Sequence, residues 1–376
     1  MFRIYNFEFD LMSTSPRQRF LSYVRNPTTS RPVVSPFLPH PDVIRATLAL
    51  LHLPVTDDSV RNEIRLSQEL GYEPMFMTDC SGLIFNWSID ETRSTTETAF
   101  RTVMTPKGEW TWRAPRKDIP WSDETACPVE TIHEHEMLVS VCEQVGDREE
   151  EIRNYFRTWR QTVAEDGVIV LGHPHPSWLG YQINPTNIFY QWNDWQDVFA
   201  RSMEALYKAS LFVMSIAIKE DVDFMSDSSY GLEMTSPELF TTMDLPYIRR
   251  FAEWTHRHDG LFWYHNCGFT SQFIKEGVFN TLGADVIETI APPPEGDNDL
   301  AESRRHLDRS ICTKGNLNLR LLRDGSPAEI AKQAGKIVSD VRGYSHIFST
   351  ADGVLQGTKP ENFITFVRAT REALGI

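Results

Sequence analysis

Short apolar runs recur along the chain, and between them lie segments carrying helix signals. The runs are RPVVSPF (31–37), EPMFM (73–77), GVIVLGH (167–173), VDFMSD (222–227), LFWYHNC (261–267), ADVIETI (284–290), SICTKGNL (310–317) and SHIFSTA (345–351). Several are nearly continuous in apolar residues over four to seven positions. That pattern fits strands buried on both faces of a parallel sheet.

The intervening segments read as helices. SPAEIAKQAGKIVSDVRG opens with Ser326 as N-cap, Pro327 at the first helical position and Glu329 completing a capping box. Ile330, Ile337, Val338 and Val341 share one face, and Gly343 closes the segment. SPELF (236–240) repeats the Ser-Pro opening, and TKPENF sets Thr358 three residues before Glu361. In REEEIRNYFRTWRQTV, Ile152, Tyr155, Phe156, Trp159 and Val163 form a single stripe.

Eight strands alternating with helices predict an α/β fold, a single (β/α)8 TIM barrel covering 1–376. Residues 1–30 form an N-terminal extension. The 78–130 segment fits no plain βα unit: TETAFRTVMTPKGEWTWRAPR reads as a β-hairpin turning at Pro106-Lys107-Gly108, inserted near the barrel mouth. A doubly wound open sheet is the alternative, but no Gly-x-Gly-x-x-Gly follows an early strand.

Composition narrows the function classes. The net charge is -15, a surface that repels phosphate backbones, so nucleic acid is excluded as a partner. No apolar run approaches the roughly 20 residues of a membrane span, and the N-terminus has no basic region leading into a long apolar core. Cys80, Cys127, Cys142, Cys267 and Cys312 are odd in number and scattered, which fits a reducing, cytoplasmic setting better than a disulfide framework.

A barrel of this kind carries its chemistry at the C-terminal ends of the strands. His265 and Cys267 end the fifth run, Asp227 ends the fourth, Glu288 lies near the end of the sixth and Asp352 follows the eighth. Titratable side chains thus gather on one rim. Asp227 and Glu288 are the candidate catalytic carboxylates; a turn or N-cap role is the alternative for Asp227. GHPHPSWLGYQ (172–182) places His175 and Trp178 at the end of the third run, and Tyr230 follows the fourth. With Trp87 in FNWS (85–88) and the aromatics of FYQWNDW (189–195), these are candidate substrate contacts. HEHE (133–136) is not a His-Glu-x-x-His pattern, and residues two apart on a helix do not share a face, so it reads as a solvated segment. Cys312 lies inside its run and reads as a packed core cysteine.

SPELFTTMDLPYIRRFAEW (236–254), FWYHNCG (262–268), GADVIE (283–288), KGNLN (314–318) and GTKPENF (357–363) resemble the uroporphyrinogen decarboxylase superfamily. RQRFLSYV and RPVVSPF match that family's opening more weakly. The superfamily includes the decarboxylase proper and zinc-dependent methyltransferases that work with a corrinoid protein. The decarboxylase carries an arginine-rich loop after its first strand; here SPFLPHPDV (35–43) has no arginine, and Asp352 stands where that branch has a histidine. In the methyltransferase branch a His-x-Cys pair and a later cysteine bind zinc. The resemblance therefore implies His265 and Cys267 as ligands, with Asp352 in the position of the third.

What the resemblance implies is a metal-dependent methyltransferase or demethylase. It would move a methyl group between a small donor or acceptor, such as a methoxylated aromatic, and cobalamin. Zinc is the implied metal. No Asp-x-His-x-x-Gly cobalamin signature occurs in the chain, so the corrinoid comes on a partner protein or as a free cofactor. A homodimer is an allowed assembly. The readings from other classes are a lyase on the same barrel acting on a carboxylated substrate, and a non-catalytic barrel in an assembly.

Overall fold

The structure is a computed structural model that describes residues 14–79, 81–96, 98–115, 129–172, 185–228 and 235–376. Its centre is a curled, all-parallel sheet of seven strands: β1 (Met75–Asp79), β5 (Val168–Gly172), β6 (Phe224–Ser228), β7 (Leu261–His265), β8 (Val286–Glu288), β9 (Cys312–Leu317) and β10 (His346–Thr350), hydrogen-bonded in that order. Each coincides with one of the apolar runs. The first run is the exception. It makes a single parallel bridge, Val34 to Phe348 of β10, while Val34 O accepts from Glu73 N just before β1. The 33–35 stretch therefore lies against both edges of the sheet without forming a regular strand. Two prolines, Pro32 and Pro36, flank it and cannot donate to a ladder.

Alternation along the strands divides two apolar cores. Phe262 and Tyr264 pack outward against the helices, whereas Leu261 and Trp263 point into the sheet's concave side with Val168, Val170, Phe224, Val286 and Cys312. The same parity continues upward: His265 follows Trp263, Glu288 follows Val286 and Lys314 follows Cys312. Packed Cys312 has its thiol pushed up to about 11, chiefly by burial.

Residues 16–25, part of the expected extension, form a helix (Pro16–Arg25) that docks into the floor of this core. Phe20 lies fully buried with its ring 5.8 Å from Phe224 and 6.3 Å from Trp263. Burial of such a side chain contributes about 1.5–3 kcal/mol. Arg17 ties the helix to Asp223 at 2.6 Å and to Glu165 at 2.9 Å.

The helix Pro327–Asp340 has the expected capping box from Ser326 and Glu329, and Ser236 caps Pro237–Met243. The last helix, Pro360–Leu374, has Lys359 as its N-cap. Thr358 does not cap it; its hydroxyl donates to Leu355 O. In the helix Glu149–Val163 the expected stripe holds, with Ile152, Phe156 and Val163 buried and Tyr155 and Trp159 packed beside them.

A second sheet is antiparallel: β2 (Ser88–Ile89), β3 (Thr98–Thr105) and β4 (Gly108–Pro115), with β3 and β4 joined through Pro106-Lys107. His133–Glu136 departs from the sequence reading. Glu134 is the N3 member of a capping box with Thr131, and His135 is buried between Ser202 Oγ at 2.8 Å and Gln191 Oε1 at 3.0 Å. The segment is amphipathic, and His135 lies on its buried side. Among the described residues no helix is long and apolar enough to cross a membrane.

Candidate metal and substrate site

β7 delivers His265 to the concave side of the sheet because Leu261, Trp263 and His265 alternate. The strand ends at His265. Asn266 then turns the other way and is buried; its backbone N and its side-chain amide both donate to Glu288 O, and its carbonyl accepts from Thr289 N at 2.9 Å and Thr289 Oγ1 at 3.0 Å. These bonds fix the His-Asn-Cys step, so Cys267 returns to the side of His265. Gly268, at φ 83°, turns the chain immediately afterwards in a conformation glycine adopts without a Cβ penalty. Asp352 comes from the segment after β10; its Oδ1 accepts from Gly353 N at 2.6 Å and its carbonyl accepts from Thr350 Oγ1 at 2.7 Å.

One imidazole nitrogen, one thiol sulfur and one carboxylate oxygen of His265, Cys267 and Asp352 all lie within 4.8 Å of one another. Ligands of a tetrahedral zinc at about 2.1 Å stand roughly 3.4 Å apart, so closing on one ion asks for about 1.5 Å or less of side-chain movement. The donor set and its spacing fit a divalent cation with a coordination position left over.

A cavity of about 260 Å³ opens beside these groups. Phe37, Leu38 and Met77 give it an apolar side, and Ser226, Asp227, Ser228, His265 and Asp352 a polar one. Asp227 is buried, and burial, with the neighbouring Asp244 adding to it, pushes its carboxyl well above the usual range against the bond it accepts from Ser228 N at 2.7 Å. It borders the cavity as a carboxyl whose protonated form burial favours.

Glu288 does not border the cavity. Strand register sets His265, Glu288 and Lys314 in one row across β7, β8 and β9. Glu288 Oε1 pairs with Lys314 Nζ; Oε2 accepts from Trp263 Nε1 at 2.8 Å and lies 3.5 Å from His265 Nδ1. Burial would raise this carboxyl, but the Lys314 ammonium and then His265 outweigh it and hold Glu288 below the usual carboxylate range. Burial likewise disfavours a charged His265, yet hydrogen bonds to Cys267 and Glu288, with the attraction of both, raise it well above 6.5. The His265 ring stacks on Phe37 at 5.5 Å, and Lys314 Nζ sits 4.3 Å from the centre of that same ring.

The other expected substrate contacts are placed differently. Trp87 stacks on Phe85 at 6.2 Å, meets Trp112 edge-on and carries Arg101 on its face at 4.7 Å, so it packs with the antiparallel sheet and does not line the cavity. Trp192 and Trp195 pack against Phe199 and His135. His175, Trp178 and Tyr230 lie outside the described residues. Sequence reasoning missed Lys314, Trp263 and Phe37. The available signal was parity: a lysine two residues after Cys312 inside an otherwise buried run.

The family model described as uroporphyrinogen decarboxylase (URO-D) matches residues 180–373, more than half of the chain. The chain belongs to the uroporphyrinogen decarboxylase family. That match takes in β6 to β10 and all three donors of the site. Two curated uroporphyrinogen decarboxylases are similar over short stretches: that of Nitrosomonas europaea is 36% identical over 72 residues, 19% of this chain and 20% of the relative. That of Gluconobacter oxydans is 34% identical over 97 residues, 26% of this chain and 25% of the relative. The matched segments thus span a quarter or less of those relatives' length. Among solved structures, a methyltransferase from Methanosarcina mazei superposes with a TM-score of 0.64 at 14% identity, covering 96% of this chain and 99% of that one. At that identity the likeness shows a shared fold.

Proposed function

We propose that this chain is a metal-dependent methyltransferase or demethylase that moves a methyl group between a small substrate, such as a methoxylated aromatic, and a corrinoid carried by a partner protein or free cobalamin. In this reading the 33–35 segment completes a (β/α)8 barrel and the antiparallel sheet belongs to an insertion at its mouth. The observation that carries the reading is the convergence of His265, Cys267 and Asp352 beside a cavity. These three would hold zinc, and the zinc would supply Lewis acidity, deprotonating a thiol or drawing electron density from an ether oxygen.

The chain's own residues supply the rest. Asp352 in place of a second thiolate makes the site harder and suits an oxygen substrate. Phe37, Leu38 and Met77 offer an apolar wall and help exclude water. Asp227 holds a proton beside the cavity, in position to pass it to a departing alkoxide. Glu288 orients His265 and so acts through it, in the manner of the carboxylates behind metal-bound histidines. His175, Trp178 and Tyr230 are the proposed substrate contacts from the neighbouring segments; Trp87 would take part only through the antiparallel sheet.

The similarity to curated decarboxylases favours a second reading, a lyase acting on a carboxylated substrate. Against it, no lysine or arginine lines the cavity among the described residues. The deciding experiment is metal analysis of the purified protein, followed by methyl transfer from a methoxylated aromatic to cobalt(I) cobalamin. About one zinc per chain, lost in His265→Gln, together with methylcobalamin formation, supports the proposal. A metal-free protein that binds an anionic tetrapyrrole overturns it in favour of the lyase.

A further inference from the structure

The Lys314–Glu288 pair has both side chains fully buried in the concave core. Lys314 is enclosed by aromatic faces, with Nζ 4.3 Å from the Phe37 ring and 5.7 Å from the Trp263 ring. A buried ion pair is costly to desolvate, and replacement by apolar residues of similar volume is often neutral or stabilising. Stability alone gives little reason for this pair, and its position suggests another. Glu288 stands next to His265 in the row of aligned residues, one strand from the proposed metal ligands. A carboxylate so placed would be an obvious fourth donor, yet both its oxygens are engaged elsewhere. Oε1 is held by Lys314; Oε2 is held by Trp263 Nε1 at 2.8 Å and faces His265 Nδ1.

We infer that Lys314 is a positioning residue that commits Glu288 to orienting His265 and keeps it off the metal, so that the remaining coordination position stays open for substrate. The inference rests on the proposed metal site. Geometry gives Lys314 leverage over one carboxylate oxygen only. Without the ammonium, Oε1 has no partner among its neighbours in the row, and turning the carboxylate toward the cation is then its best electrostatic outcome. The ring of Phe37 links the two ends of the device, stacking on His265 and lying beneath the Lys314 ammonium.

The test uses cobalt(II)-loaded full-length protein with 2-mercaptoethanol as the probe of the open position, read by the added thiolate-to-cobalt absorbance. Wild type should show the increment. Lys314→Met should keep its cobalt but lose the increment, and Lys314→Met combined with Glu288→Gln should regain it, because no carboxylate remains to occupy the position. Circular dichroism follows folding in each variant. An increment retained in Lys314→Met, or not regained in the double variant, overturns the inference. So does wild-type protein that takes up cobalt but shows no increment. Wild-type protein that takes up no cobalt overturns the metal site itself and this inference with it. Should Lys314→Met fail to fold, Glu288→Gln decides: it should keep the thiol increment while binding cobalt about 10–100-fold more weakly, and unchanged affinity overturns the inference.

Discussion

Asp352, beyond the end of β10, brings a carboxylate oxygen within 4.8 Å of Cys267, beyond the end of β7. Two intervening strands separate these elements in the sheet, so only its curl lets them meet. Cys267 is exposed and takes no part in the apolar core. Cys267→Ser should therefore leave the urea unfolding midpoint almost unchanged while zinc content, measured by mass spectrometry, falls well below one per chain and methyl transfer is lost. Full metal content in this variant would remove Cys267 from the ligand set.

Asp352→Cys exchanges a hard oxygen donor for a soft sulfur one at a partly exposed position. It should retain the metal and shift relative activity from an ether donor toward a thiol acceptor, as a more electron-rich metal is a weaker Lewis acid. A kcat/KM comparison on the two substrate types checks the direction.

Metal uptake should depend on pH through His265. Cys267 and Glu288 raise this ring well above 6.5 against the pull of burial, so in metal-free protein near neutrality it carries a proton that a metal must displace. Apparent metal affinity should climb as pH rises through neutrality, about tenfold per unit for each proton released. The sign for stability is opposite in the metal-free form. A histidine raised on folding contributes stability that is fully present below its unfolded value of about 6.5 and is lost as pH rises through the folded one. Chelated wild type should thus lose thermal stability on going alkaline, and chelated His265→Gln should show a flatter profile.

Phe20→Ala should cost about 3–5 kcal/mol, because the ring is fully buried against Phe224 and Trp263. Urea unfolding measures it. Metal content of the folded fraction should not change, since Phe20 packs below Trp263 and the proposed donors lie above it. A loss under about 1 kcal/mol would show that the helix does not anchor the core floor.

The sequence by itself determined seven of the eight expected strands of the parallel sheet and the direction of their side chains. Alternation along LFWYH places Leu261, Trp263 and His265 on one side whatever the neighbouring strand, because a pleated backbone sends successive side chains to opposite faces. Capping at Ser236 and Ser326 is equally local, a hydroxyl accepting from a backbone N–H three residues on. Only the tertiary structure decided the partners. That Glu288 stands between His265 and Lys314 follows from the register of β7, β8 and β9, which depends on contacts between segments far apart in the chain. The docking of the helix Pro16–Arg25 under the sheet, the burial of His135 and the packing of Trp87 against Trp112 are of the same kind. Each depends on which surface a side chain meets, and hydrophobic contact is non-directional, so a local pattern can show that a face must be covered without naming what covers it.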